Sequence, residues 1–227
     1  MPSPWNVAHA AALTALLLLT PFISAAPLAV VGVGALTALF LLGRQPGRVG
    51  VANGITFARV GLVLAGALSP QPLLALAAFT AVWVLDGLDG WVARARGEAS
   101  DFGARFDLET DAFFVAALSA ALVTLVDAPP WVLVAGLLRY TLVLARAVLV
   151  ETPAVEYRSR FGRYAYSAAV VCLLGGFLAA PVALPTAGVA VLCFSFSRDF
   201  ARLRFQRGVW LANGTVAASA RSNAAVR

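Results

Sequence analysis

Apolar stretches that approach the length of a bilayer crossing recur along this chain from end to end, and no other feature limits its folds so severely. Hydrophobic residues make up 61% of the 227 positions and charged residues only 12%, where a soluble domain carries about a quarter charged. A single soluble core cannot absorb that much apolar surface, so the natural solvent is lipid. The expected fold class is all-α, a polytopic membrane bundle. At about 20 residues per span, eight candidate helices emerge, roughly 7–25, 27–43, 51–69, 72–92, 106–126, 130–150, 164–180 and 182–197. Pro21 cuts the first, Pro185 sits early in the last, and the first two have a re-entrant pair as an alternative.

The basic residues test this map independently. All 17 are arginine, and they cluster between the apolar runs rather than on one face. Arg44 and Arg48 follow the second helix, Arg94, Arg96 and Arg105 the fourth, Arg158, Arg160 and Arg163 the sixth, and Arg198, Arg202, Arg204 and Arg207 the eighth. The gaps after the odd-numbered helices hold none. Such alternation is the positive-inside pattern and places both termini in the cytoplasm, in an integral cell-membrane protein. The net charge of +6 therefore reports topology, and no interleaving of aromatic with basic residues supports nucleic-acid binding. The N-terminus lacks a basic n-region, so its first apolar stretch reads as a retained helix. Cys172, Cys193 and His9 lie singly in apolar runs and read as structural. Trp131 reads as an interface anchor.

Seven of the eleven acidic residues fall between Asp86 and Asp111. Asp86 and Asp89 are three apart where the fourth helix closes, and Asp107 and Asp111 four apart where the fifth opens. Each pair occupies neighbouring positions on a helix surface. A loop of about a dozen residues then folds the two helix ends together, as two antiparallel spans require. The helix dipole favours the second pair and opposes the first. Four converging carboxylates repel one another and lose hydration, which a hard divalent ion such as Mg²⁺ or Mn²⁺ relieves. The plain alternative is a solvated acidic loop paired with Arg94, Arg96 and Arg105. Against it, Gly90, Ala93 and Gly103 leave bare surface beside the carboxylates, as a bulky phosphate ligand requires, and Arg94 adds a fixed cation suited to a diphosphate.

These residues spell Asp86-x-x-Asp89-Gly90-x-x-Ala93-Arg94, eight residues, then Gly103-x-x-x-Asp107-x-x-x-Asp111. In this the chain closely resembles the CDP-alcohol phosphotransferases, whose signature it matches without departure. The resemblance implies a six-helix catalytic domain at 51–200. An N-terminal transmembrane hairpin and cytoplasmic linker (1–50) would precede it, and a basic, partly disordered cytoplasmic tail (201–227) would follow. It implies two divalent ions, one held by Asp86, Asp89 and Asp107 and the other by Asp86, Asp107 and Asp111. Asp111 then corresponds to the general base. The segment Asn53-x-x-Thr56-x-x-Arg59 resembles the part of the family's nucleotide site that precedes the motif; with Gly90, Ala93, Arg94 and Gly103 it is expected to bind the nucleotide and diphosphate.

The implied reaction transfers a phosphatidyl group from CDP-diacylglycerol to an alcohol and releases CMP. Transfer of a polar head group from a CDP-alcohol to a lipid alcohol is the related alternative. A divalent-cation binding or transport protein is the alternative from another class, and it predicts carboxylates near the bilayer midplane. The active site is expected to face the cytoplasm, and a homodimer is implied by the family alone. Arg139, Arg158 and Arg163 are acceptor-site candidates: Arg139 because a mid-membrane charge usually faces a polar cavity, the others because they precede the seventh helix. Gly162-Arg163-Tyr164-Ala165-Tyr166-Ser167 departs from the G-K-x-K-T-like segment of related phosphatidylglycerophosphate synthases. That departure weakens glycerol 3-phosphate as the acceptor, which is otherwise an alcohol that can itself be phosphorylated.

Overall fold

The computed structural model describes residues 4–43, 50–149, 160–198 and 201. No strand occurs among them. Eight helices follow in order: α1 (Pro4–Leu19), α2 (Ala26–Gly43), α3 (Val51–Leu68), α4 (Pro72–Arg96), α5 (Asp101–Leu125), α6 (Val134–Leu149), α7 (Arg160–Gly175) and α8 (Ala183–Arg198). A 3₁₀ turn, Pro130–Leu133, leads into α6. The chain is an all-α polytopic membrane bundle, as its apolar runs require. α3, α4 and α5 are each long and apolar enough to cross a membrane, and the other helices contribute apolar stretches of 10–17 residues. The first apolar run extends to about residue 25, yet α1 stops at Leu19, just ahead of Pro21, whose ring disfavours helical backbone in the residue before it.

Local chemistry fixes the two longest helices. Pro72 occupies a first-turn position of α4, where its missing N–H costs nothing. Gly97 ends α4 in the left-handed region, at φ 65°, which glycine adopts without penalty. Ser100 caps α5, its Oγ accepting a hydrogen bond from the Gly103 N–H at 3.0 Å. The turn between the helices is therefore confined to residues 97–100, not the loop of about a dozen residues that charge density suggests. Arg94, Arg96 and Asp101 belong to helices instead.

α5 is the central helix. Every residue from Ala112 to Leu122 is buried, and the helix packs against α2, α3, α4, α6 and α7. α4 shows the opposite pattern, presenting Leu73, Leu74, Val84, Leu88 and Trp91 outward, as expected of a face solvated by lipid. The N-terminal pair packs on this core, α1 against α6 and α2 against α3 and α5. Phe40 of α2 lies 4.8 Å from Phe57 of α3 and 5.3 Å from Phe106 of α5, ring centre to ring centre. Gly32 lets α2 approach α5: a Cβ there would enter the Phe113 ring. The expected tail at 201–227 falls outside the described residues except for Ala201.

Gly136 sits where α1, α5 and α6 meet. A Cβ at this position would lie 2.6 Å from the Ala116 Cα and 2.8 Å from the Leu17 side chain. The Ala116 backbone cannot yield as a side-chain tip would, so Gly136→Ala is expected to destabilise by about 1–3 kcal/mol through overpacking. A Cβ at Gly34 meets nothing within 4 Å, so Gly34→Ala is expected to leave stability unchanged or raised by the better helix propensity of alanine. Thermal unfolding in detergent, followed by tryptophan fluorescence, compares the two directly.

Candidate metal and nucleotide site

Four aspartates from two helices converge on one arginine from a third. Arg59, near the middle of α3, is completely buried. Its Nη1 lies 2.8 Å from Asp89 Oδ2 and 3.0 Å from Asp107 Oδ1, and its Nη2 lies 2.9 Å from Asp86 Oδ1 and 2.6 Å from Asp111 Oδ1. The planar fork of a guanidinium suits this division, since each terminal nitrogen serves one carboxylate from α4 and one from α5. Thr56, one turn earlier on α3, places its hydroxyl 2.9 Å from Asp89 Oδ2 and 3.1 Å from the Ala52 carbonyl.

All four carboxylates lie inside helices rather than at their ends. α4 continues past Asp89 to Arg96, and α5 begins at Asp101, ahead of Asp107. A helix dipole acts mainly on its terminal turn, so it is not what sorts these charges. The compensating charge comes from Arg59. One guanidinium cannot balance four ionised carboxylates. The side chains of Asp86, Asp107 and Asp111 keep 29%, 22% and 17% exposure against 6% for Asp89, so the accessible side lies toward the first three. Oxygens of Asp86, Asp89 and Asp107 all come within 4.8 Å of one another. An all-oxygen, anionic set of this kind fits a hard divalent cation.

The other motif residues take distinct places around this cluster. Asn53 is buried at the start of α3, and a Cβ on Gly103 would lie 2.8 Å from its Oδ1. Gly103 thus admits the Asn53 side chain between α3 and α5. At Gly90 a Cβ would meet only the Arg94 guanidinium, at 3.4 Å. The exposed Arg94 therefore lies back over Gly90, next to Asp89. Ala93 accepts the Glu98 N–H at 2.9 Å and so helps to close α4.

Glu98, which the sequence does not single out, holds this geometry from the turn. Its Oε2 accepts the Ala52 N–H at 3.1 Å. α3 has no side-chain cap of its own at Gly50, and the motif turn supplies one across the interface. An acidic residue at a helix N-terminus is favoured by the dipole as well, but nothing in its spacing identifies its partner.

Two of the three acceptor-site candidates, Arg139 and Arg163, lie among the described residues. Arg139 of α6 donates to Glu109 Oε1 at 3.1 Å, with both side chains largely buried. Glu109 is two positions from Asp107 and from Asp111, about 200° around the helix, and so on another face of α5. Arg163 is exposed on α7, and Arg158 lies outside the described residues.

The sequence profile of the CDP-alcohol phosphatidyltransferase family matches residues 49–197, a span that begins just before α3, takes in the whole aspartate motif and leaves α1 and α2 outside. No curated protein and no solved structure matches the chain.

Replacing Arg59 should expose its structural part. Removing one partner of a buried ionic network typically costs about 3–5 kcal/mol, so Arg59→Gln is expected to melt well below the wild type in the presence of EDTA. Millimolar Mg²⁺ or Mn²⁺ should recover part of the difference by supplying positive charge to the same carboxylates. Equal melting temperatures in EDTA would remove Arg59 as the keystone of the cluster.

Proposed function

The chain belongs to the CDP-alcohol phosphatidyltransferase family, and on that premise we propose that it transfers a phosphatidyl group from CDP-diacylglycerol to an alcohol, releasing CMP. Membership itself supports transfer of a phosphate-linked group in membrane lipid synthesis. The observation that carries the reading is the convergence of Asp86, Asp89, Asp107 and Asp111 on one partly open, anionic site.

Asp86, Asp89 and Asp107 would hold one divalent ion, and Asp86, Asp107 and Asp111 a second. Mg²⁺ or Mn²⁺ bound there would neutralise charge on the donor diphosphate and on the departing CMP. Arg94, whose guanidinium lies over Gly90, would add a cation to the same diphosphate. Asn53 and Thr56 line the neighbouring end of α3 and would bind the nucleotide. Arg59 spends its hydrogen bonds on the carboxylates, so its contribution would be to orient these ligands. Asp111 would take the proton as the acceptor oxygen bonds to phosphorus and the phosphorus–oxygen bond to CMP breaks. A carboxylate is a weak base for an alcohol, so positioning carries much of the rate.

The same site geometry would serve transfer of a head group from a CDP-alcohol to a lipid alcohol, which the choice of donor in an assay separates. Cation translocation is separated by the same assay, since it predicts no release of CMP. A cytoplasmic active site and a homodimer complete the proposal, on the arginine pattern and the family respectively.

Purified protein supplied with CDP-diacylglycerol, Mn²⁺ or Mg²⁺ and a panel of alcohols is expected to release CMP, and EDTA to stop it. Asp111→Asn should lower turnover by about 10²–10⁴-fold, the usual contribution of a general base, while keeping the wild-type melting temperature. Unchanged turnover in that variant would remove Asp111 from the base role. Absence of CMP with every donor and acceptor in folded protein would overturn the enzymatic reading.

A further inference from the structure

α7 brings a second kind of group to the aspartate cluster. Tyr166 lies in its second turn, on a helix that packs against both α4 and α5. Its ring packs on the hydrophobic core, and its hydroxyl oxygen is buried without a hydrogen-bond partner among the described residues. The charged groups acting on that hydroxyl are those of the cluster: Asp111, Asp86, Arg59 and Asp107. No hydrogen bond joins it to any of them.

A buried hydroxyl left unpaired costs about 1–3 kcal/mol. A phenylalanine would fill nearly the same volume without that cost. The position therefore makes physical sense if something else completes the bond. A phosphate oxygen would accept from Tyr166 but has no proton to give Asp111. An alcohol hydroxyl does both: it accepts from the phenol through one lone pair, donates its proton toward Asp111, and keeps its second lone pair for attack on phosphorus.

We infer that Tyr166 is a substrate-contacting residue that receives the attacking hydroxyl of the acceptor alcohol and aims it at Asp111. This rests on the phosphatidyl-transfer reading above, and it assigns part of the acceptor site to α7 through a phenol, where sequence alone pointed to arginines. The role also differs from that of Tyr164, two residues earlier, which is 76% exposed.

The test compares wild type, Tyr166→Phe and Tyr164→Phe, using CDP-diacylglycerol, Mn²⁺ and whichever panel alcohol gives the fastest CMP release. Tyr166→Phe should lower kcat/KM for that alcohol by about 10- to 100-fold, the loss expected for one hydrogen bond at a charged site. Its KM for CDP-diacylglycerol should stay within about twofold of wild type. The rise in melting temperature on adding CDP-diacylglycerol with Mn²⁺ should also be unchanged, whereas the further rise on adding the alcohol should be lost. Tyr164→Phe should match the wild type throughout. Wild-type alcohol kinetics in Tyr166→Phe, or equal losses toward donor and alcohol, would overturn the inference while leaving the reaction intact. Failure of the wild type to release CMP would instead overturn the reading on which it rests.

Discussion

A guanidinium without solvent exposure, shared among four carboxylates, is the constraint around which the site is organised. Arg59 comes from α3, Asp86 and Asp89 from α4, and Asp107 and Asp111 from α5. None of these charges is tolerable alone at such burial, because an isolated ion loses far more hydration than a protein interior returns. The three helices that satisfy one another in this way are also, among the described residues, the three long and apolar enough to cross a membrane. Their mutual arrangement is therefore fixed by electrostatics at the site and by apolar packing along the rest of their length.

Supports around the cluster follow from this. Glu98 reaches back from the turn after α4 to cap α3, so the motif turn and the helix carrying Asn53, Thr56 and Arg59 are held in register. Gly103 leaves room for Asn53 between α3 and α5. Behind the site, Phe40 of α2 packs on Phe57 and Phe106, residues adjacent in sequence to Thr56 and Asp107. The N-terminal helices lie outside the family match, yet α2 backs two of the three helices that form the cluster. The arrangement is held by contacts from three helices and sets four carboxylates against one guanidinium, a combination that fits a hard divalent cation.

Much of this was legible in the sequence, and what was not has identifiable causes. The apolar runs gave the helical membrane class and approximate spans, since length and hydropathy are local properties. The aspartate spacing gave the cluster, because three- and four-residue separations bring carboxylates together on a helix surface whatever surrounds them. Helix limits were harder: Arg94, Arg96 and Asp101 read as loop by charge, but a helix that projects beyond the apolar layer accommodates them, and only the caps at Gly97 and Ser100 set the boundary. The pairing of Arg59 with all four aspartates depends on the crossing of α3 over α4 and α5, which no local pattern encodes. The pairing of Arg139 with Glu109 and the cap from Glu98 are likewise contacts between distant segments. Tyr166 belongs with these: its position is readable, but the isolation of its hydroxyl emerges only from packing.

Direct measurement of metal binding tests the central claim, that the excess charge around Arg59 forms a divalent-ion site. Electron paramagnetic resonance titration of Mn²⁺ into the purified protein in detergent should reveal two saturable sites per chain. Asp86→Asn and Asp107→Asn, which alter ligands proposed to be shared, should each weaken both. Absence of saturable Mn²⁺ binding by the folded wild type, or binding unaffected by either substitution, would contradict the account.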